Sequence, residues 1–221
     1  MISNACHRTP YDVKLFQTFL VSECGGRCRL SHRAIEIQLT DMTTSVLHLC
    51  RSLDASPRPA APLPGVTIRC FRPEDVDRWL ALRQRAFARE KLGVREWSAA
   101  DFEEEFLTKP WWNPAHCWLA EATSSNFPAD QPVAPGVGQA TSPLLGAVAM
   151  ALRGQSPTAK AVVHWLMVEP RFRRRGIAHQ LMNTLEAAAY AAGYREVHLE
   201  THAAWTSAAE FYTRLGYRPV R

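Results

Sequence analysis

No run of 18 or more apolar residues occurs in this chain of 221 residues, so a membrane-spanning helix is excluded. A field of one sign is missing as well. The net charge of +5 is dispersed, without a basic tail or a dense helical stripe, which argues against a nucleic-acid-binding domain. The local exception is Arg171, Arg173, Arg174 and Arg175, a cluster sized for one phosphate-bearing ligand. Neither a Gly-x4-Gly-Lys-Ser/Thr loop nor a Gly-x-Gly-x-x-Gly turn after an early strand is present, which argues against an NTPase and a dinucleotide-binding enzyme. The opening Met1-Ile-Ser-Asn-Ala has no basic region leading into an apolar core, so no secretory signal is expected and a cytoplasmic location is. The six cysteines are Cys6, Cys24, Cys28, Cys50, Cys70 and Cys117. Cys24-x3-Cys28 followed by His32 lacks the Cys-x2-Cys spacing and the second pair of a zinc clip, so free thiols and no metal site are expected.

Regular periodicity is also lacking over residues 1–55, where short apolar patches at 15–21 and 46–49 do not amount to an independent core. Residues 55–65 (ASPRPAAPLPG) hold four prolines, a stiff, linker-like composition. These features divide the chain into a poorly ordered extension over 1–64, dispensable for folding, and a domain over 65–221.

From Val66 the pattern sharpens. Val66 to Phe71 alternates as a strand, and Asp75 is placed to cap a helix carrying Val76, Trp79, Leu80, Leu82 and Phe87. Ser98 with Asp101 reads as the cap of a second helix through Phe102 and Phe106. Cys117 to Ala122 is a strand, and the proline-rich stretch 123–143 is a long loop. Leu144 to Leu152 and Ala161 to Val168 form a hairpin, with Gly146 marking a bulge or a close approach. Ile177, Leu181, Leu185 and Ala188 stripe a helix stopped by Gly193. Glu196 to Thr201 is a strand. Ser207 with Glu210 reads as a capping box opening a last helix, followed by a short strand at 217–220. The fold class is α/β, a mixed sheet flanked by helices.

The most informative stretch is Val168-Glu-Pro-Arg-Phe-Arg-Arg-Arg-Gly-Ile-Ala178. A strand ends, arginines and a glycine turn the chain, and a helix begins. Its first N–H groups and the positive end of its dipole then point at one place, as a phosphate requires. Arginine side chains add charge-assisted hydrogen bonds, and Gly176 permits close backbone approach.

Arg173-Arg174-Arg175-Gly176-Ile177-Ala178 resembles the Gln/Arg-x-x-Gly-x-Gly/Ala signature of the GNAT superfamily of N-acetyltransferases, and Ala208 to Tyr217 (AAEFYTRLGY) is similar to that family's Ala-x-x-x-Tyr-x-x-x-Gly-Phe segment. The likeness covers residues 66–221. It implies the acyl-CoA N-acyltransferase fold, a central, mostly antiparallel mixed sheet, and direct transfer of acetyl from acetyl-CoA to a primary amine in a ternary complex. By the same resemblance, the backbone of Leu166, Met167 and Val168 holds the pantetheine arm, and Arg173, Arg174, Arg175, Gly176, Ile177 and Ala178 wrap the pyrophosphate. Tyr212 stands where the family's general acid protonates the departing thiolate. Trp205 replaces the family's usual Asn seven residues before that tyrosine, so any cofactor contact there is apolar or through its one N–H.

His164 is the first candidate for the general base, with Glu121, Glu200 and His202 weaker ones. It shares strand parity with Leu166 and Val168, so burial against a helix is the competing reading. Trp79, Trp97, Phe102 and Phe106 read as core first. Trp111 and Trp112 are the better pair for an acceptor groove. The expected partner is a small-molecule or peptide amine, with neither nucleic acid nor membrane, and a homodimer stays open. A non-catalytic acyl-CoA sensor or scaffold is the rival reading.

Overall fold

The computed structural model describes residues 46–88, 95–123, 143–154 and 158–220, all within one unit spanning Thr44–Arg221. The expectations for residues 1–45, including the Cys24–Cys28–His32 set, lie outside the described residues, as does most of the loop at 123–143. None of the described helices is long and apolar enough to cross a membrane.

Seven strands form one sheet in the order β2-β3-β4-β5-β6-β1-β7. These are β1 (Val46–Ser52), β2 (Val66–Cys70), β3 (Cys117–Ala122), β4 (Leu144–Arg153), β5 (Lys160–Val168), β6 (Glu196–His202) and β7 (Arg218–Pro219). All neighbours are antiparallel except β5 and β6. One face carries α1 (Val76–Phe87) and α2 (Ala99–Phe102), the latter continuing as a π-helical turn over Glu103–Leu107. Phe71, Trp79, Leu82, Phe102, Phe106 and Leu119 fill the layer beneath them. The other face carries α3 (Ile177–Ala191), with α4 (Thr206–Arg214) beside it, over Leu145, Val148, Leu181, Leu185, Val197 and Leu199. Gly146 proves to be both: the register slips beside it, β4 spending Leu145 where β3 spends no residue between Ala120 and Glu121, and the backbone makes a close approach. A Cβ there would stand 3.0 Å from both Ile177 Cγ2 and Leu181 Cδ1, so its absence lets α3 settle onto the sheet.

The boundary expected at residue 64 moves. Val46–Ser52 is an interior strand, paired along its length with β6 and at Leu49 and Cys50 with β7. Leu49 and Leu53 are buried, and Arg51 reaches the buried carboxylate of Glu186 on α3 at 2.6 Å. A single seven-residue strand has no long periodicity and draws its burial from β6 and β7, about 150 and about 170 residues away in sequence, so local pattern understates it. Nor is the proline-rich segment an interdomain linker. It carries the chain from β1 across to the far edge of the sheet, over α3, where Asn183 accepts from Ala60 N and donates to Arg58 O.

Two expected caps also differ. Asp75 is fully buried and makes no cap bond to α1. Its carboxylate instead joins Arg69, Arg78 and Glu121 in one ion-pair network. The last helix starts at Thr206 with Trp205 as its cap residue, so Ser207 and Glu210 form no capping box. Glu210 pairs with Arg214 one turn on. The capping box of Ser98 and Asp101 does form.

Candidate active site

The parallel pair β5 and β6 shares only two rungs, Ala161 with Val197 and Val162 with His198. Beyond them β5 and β6 share no further rungs and part toward their carboxyl ends, and this parting is the candidate crevice, at the usual ligand position in sheets with parallel strands. A bulge lies at the parting. Between His164 and Met167 β5 spends two residues where β4 spends one between Ala149 and Ala147, and Trp165 takes φ 53°. An L-residue held in that region costs about 1–2 kcal/mol, and such strain gathers where a site needs the backbone bent.

The bulge also overturns the parity argument for His164. The ring faces the α1 side, with the Phe106 and Trp111 rings 5.3 Å and 5.0 Å away. Leu166 and Val168 pack in the layer beneath α3, and Met167 on the α1 side. His164 Nε2 lies 3.1 Å from Glu105 Oε1, and both side chains are about nine-tenths buried. Burial pushes the His164 imidazole below its ordinary value of 6.5, with Glu105 opposing and Arg153 and Lys109 adding to the fall. Burial raises the Glu105 carboxyl, but the adjoining His164 imidazole and the Trp165 indole N–H outweigh it and hold the acid below its usual range. Near neutral pH the pair is therefore a carboxylate beside a neutral imidazole.

Sequence reasoning missed Glu105. The signal was its place three residues after Phe102, on a shared helical face. Glu105 and Phe106 turn inward together over the π turn at Glu103–Leu107.

At the end of β5, Pro170–Phe172 makes a 3₁₀ turn and the chain passes through Arg174 (φ 61°) and Gly176 (φ 87°) into α3. Alternating left-handed residues ahead of a helix gather N–H groups into an anion-binding concavity. Ile177 is buried beneath the turn and Ala178 is partly buried. The arginines divide their work. Arg173 donates to Ala86 O at 2.6 Å and Val168 O at 3.3 Å, so its guanidinium braces the turn against α1. Arg175 lies over the Phe172 ring, and Arg174 is exposed. Leu63 of the proline-rich segment touches the same turn: a Cβ on Gly176 would stand 3.2 Å from Leu63 Cδ2.

On the β6 side, Tyr212 of α4 is buried against Phe211 and Tyr217, and burial pushes its phenol up. Trp205 stacks on Phe87 of α1, whose ring also meets Trp165, so aromatic rings bridge the crevice. The Trp205 indole N–H is buried without a partner among the described residues.

The weaker base candidates separate. Glu121 belongs to the Arg69–Arg78–Asp75 network at the β2 edge, and Glu200 pairs with His48 on an exposed face. His202 sits at the end of β6, its Nδ1 accepting from Ala204 N, beside the Trp205 ring. Of the tryptophan pair, Trp111 reaches His164, whereas Trp112 packs on Phe71, Phe102 and Phe106. Trp79, Phe102 and Phe106 are core, as expected.

A GCN5-related N-acetyltransferase from Sphaerobacter thermophilus superposes with a TM-score of 0.59 at 21% identity, over 79% of this chain and 48% of that one. The chain thus spans about half the length of that protein. The aminoglycoside acetyltransferase AAC(6')-Iy in complex with the bisubstrate analogue CoA-S-monomethyl-acetylneamine matches with a TM-score of 0.48 at 19% identity, over 71% and 92% of the two chains. The NatC complex bound to Gag peptide and CoA matches with a TM-score of 0.49 at 17% identity, over 68% and 82%. No curated protein matches in sequence. The sequence model of the acetyltransferase (GNAT) family matches residues 90–217, more than half of the chain and the part that holds the bulged strand, the arginine turn and Tyr212; the chain belongs to that family.

Proposed function

We propose that this protein transfers the acetyl group of acetyl-CoA to a primary amine, by direct attack in a ternary complex. The observation that carries the reading is the turn at residues 173–178, with its two left-handed residues and its helix N-terminus, standing where β5 parts from β6. The turn offers N–H groups and the side chains of Arg174 and Arg175 to a pyrophosphate, while Arg173 holds it in place. Backbone groups of Leu166 to Val168, freed by the parting of the strands, are available to a pantetheine arm. The amine approaches from the α1 side, past Trp111, and loses its proton to His164, which Glu105 orients. Tyr212 returns a proton to the thiolate as CoA leaves.

Calorimetric titration with acetyl-CoA, followed by an acceptor screen read as CoA release, tests the proposal. The screen covers polyamines, amino acids, aminoglycosides and peptide N-termini. Absence of binding by the folded chain at millimolar acetyl-CoA would end it. Binding without turnover on any acceptor would favour the sensor reading. Gly176→Asp is expected to weaken acetyl-CoA by at least about tenfold, roughly 1.4 kcal/mol. The variant puts an L-residue at φ 87°, a side chain against Leu63 and a negative charge against phosphate.

The buried pair makes a pH prediction. A base that must be neutral, with its pKa pushed below 6.5, gives an acid limb of kcat/KM below pH 6.5. Glu105→Gln removes the group that raises His164, so the limb should move to lower pH. A limb that stays in place or moves upward would separate His164 from the reaction. Stability follows the same linkage. The unfolded chain binds the proton first, so this contribution is complete above the unfolded value and is lost as pH falls through 6.5 and then the folded value.

A further inference from the structure

Register pairs Cys50 of β1 with His198 of β6, and Ser52 with Glu196. These even-numbered positions share the sheet face opposite Leu49, Val197 and Leu199, which enter the core. On that face Cys50 Sγ lies 3.6 Å from His198 Nε2, and Glu196 Oε2 lies 3.2 Å from the same nitrogen. The three donor atoms all fall within 4.8 Å of one another. We propose that Cys50, Glu196 and His198 form a three-ligand site for a divalent cation of the Zn²⁺ type, separate from the acyl-transfer crevice.

The two separations to His198 Nε2 suit one central ion. Zinc bonds of about 2.3 Å to sulfur and about 2.0–2.2 Å to nitrogen and oxygen, at tetrahedral angles, separate sulfur from nitrogen by roughly 3.6 Å and nitrogen from oxygen by roughly 3.4 Å. The arrangement does not suit a nucleophilic triad, in which the imidazole turns one nitrogen to the nucleophile and the other to the acid. Here a single nitrogen faces both partners. It carries at most one proton, so it cannot serve both well, whereas a cation at the centre is met by all three groups.

The donor chemistry agrees. Thiolate with imidazole selects zinc-like ions over magnesium or calcium. His198 is largely packed, at 16% side-chain exposure, and Glu196 is open at 55%. Glu196 and His198 also line a groove of ≈490 Å³ with Lys160, Tyr194 and Arg195, which leaves room for water or an external ligand at a fourth position. Cys50 and His198 are 148 residues apart in sequence. An ion joining them closes a long loop, the case in which a clip constrains the unfolded chain most.

The test uses the full chain, reduced and stripped of metal, titrated with Co²⁺ and then Zn²⁺. One equivalent of Co²⁺ should produce thiolate-to-cobalt charge-transfer absorption together with tetrahedral d–d bands, and Zn²⁺ should displace it and raise the melting temperature. Cys50→Ser should abolish the charge-transfer band. Glu196→Gln, at an exposed position that the fold tolerates, should keep the band and weaken Co²⁺ at least about tenfold, the scale of a lost metal-site interaction. No thiolate band in the folded wild type would overturn the proposal. So would a band that survives Cys50→Ser, since another cysteine would then be the ligand. If Cys50→Ser does not fold, unchanged Co²⁺ affinity in Glu196→Gln overturns the site and weakened affinity supports it.

Discussion

A chain beginning at Pro64 is expected to lose its cooperative melt, whereas one beginning at Thr44 keeps it. The shorter chain lacks β1, and with it every backbone partner that β1 offers to β6 and β7. It also lacks Leu49 and Leu53, each almost fully buried. Truncating one buried leucine to alanine alone costs about 2–5 kcal/mol, and a domain's whole stability is about 5–15 kcal/mol. The loss of Arg51 adds to this. Glu186 is 2% exposed and is held by Arg51 and by the Tyr217 hydroxyl at 3.0 Å. Removing one partner of a buried pair costs about 3–5 kcal/mol, because the remaining charge stays out of water. Thermal denaturation of the two truncated chains, read by far-ultraviolet circular dichroism, decides the matter. A cooperative melt in the Pro64 chain at the full-length temperature would mean that β1 contributes nothing to the fold.

Tyr212→Phe should lower turnover by about 10²-fold or more while acetyl-CoA affinity and melting temperature stay where they were. The expectation divides cleanly because of how the residue is held. Its ring is core, packed on Phe211 and Tyr217, and phenylalanine keeps that packing. Its hydroxyl makes no hydrogen bond among the described residues, so deleting it leaves no partner stranded. What goes is the proton, which burial keeps on the phenol throughout the working pH range. A positioned general acid is worth about 10²–10⁴ in rate. Single-turnover rates with an accepted amine, compared for wild type and variant, give the answer. Equal rates would take Tyr212 out of the mechanism. A drop in affinity matching the drop in rate would make it a binding residue instead.

The two predictions stand differently toward the sequence. Tyr212 was legible because it sits inside a local motif, Ala208 to Tyr217, whose spacing survives any tertiary arrangement. The arginine turn was legible for the same reason. Glu105 and β1 were not. Glu105 lies in a run of three glutamates that reads as a solvated face; its spacing from Phe102 is the one local signal, and the π turn with the facing His164 singles it out. The Val46–Leu49 patch reads as a fragment until β6 and β7 stand on either side of it. Arg173 is an intermediate case. The motif located it, but the side chain's use as a brace to Ala86 and Val168 depends on where α1 ends.

By itself, the sequence determined the helices and strands from Val66 onward, the strand–turn–helix that carries the arginines and Gly176, and the place of Tyr212. Each of these rests on residues within about a dozen positions of one another, so local periodicity and turn chemistry suffice. The tertiary structure alone decided which way His164 points, what stands against it, and which segments complete the sheet. An extra residue in β5 reverses side-chain parity, and it is visible only against the register of β4. The pairing of β1 with β6 joins residues about 150 positions apart, a contact selected by the burial of whole faces and one that no local pattern encodes.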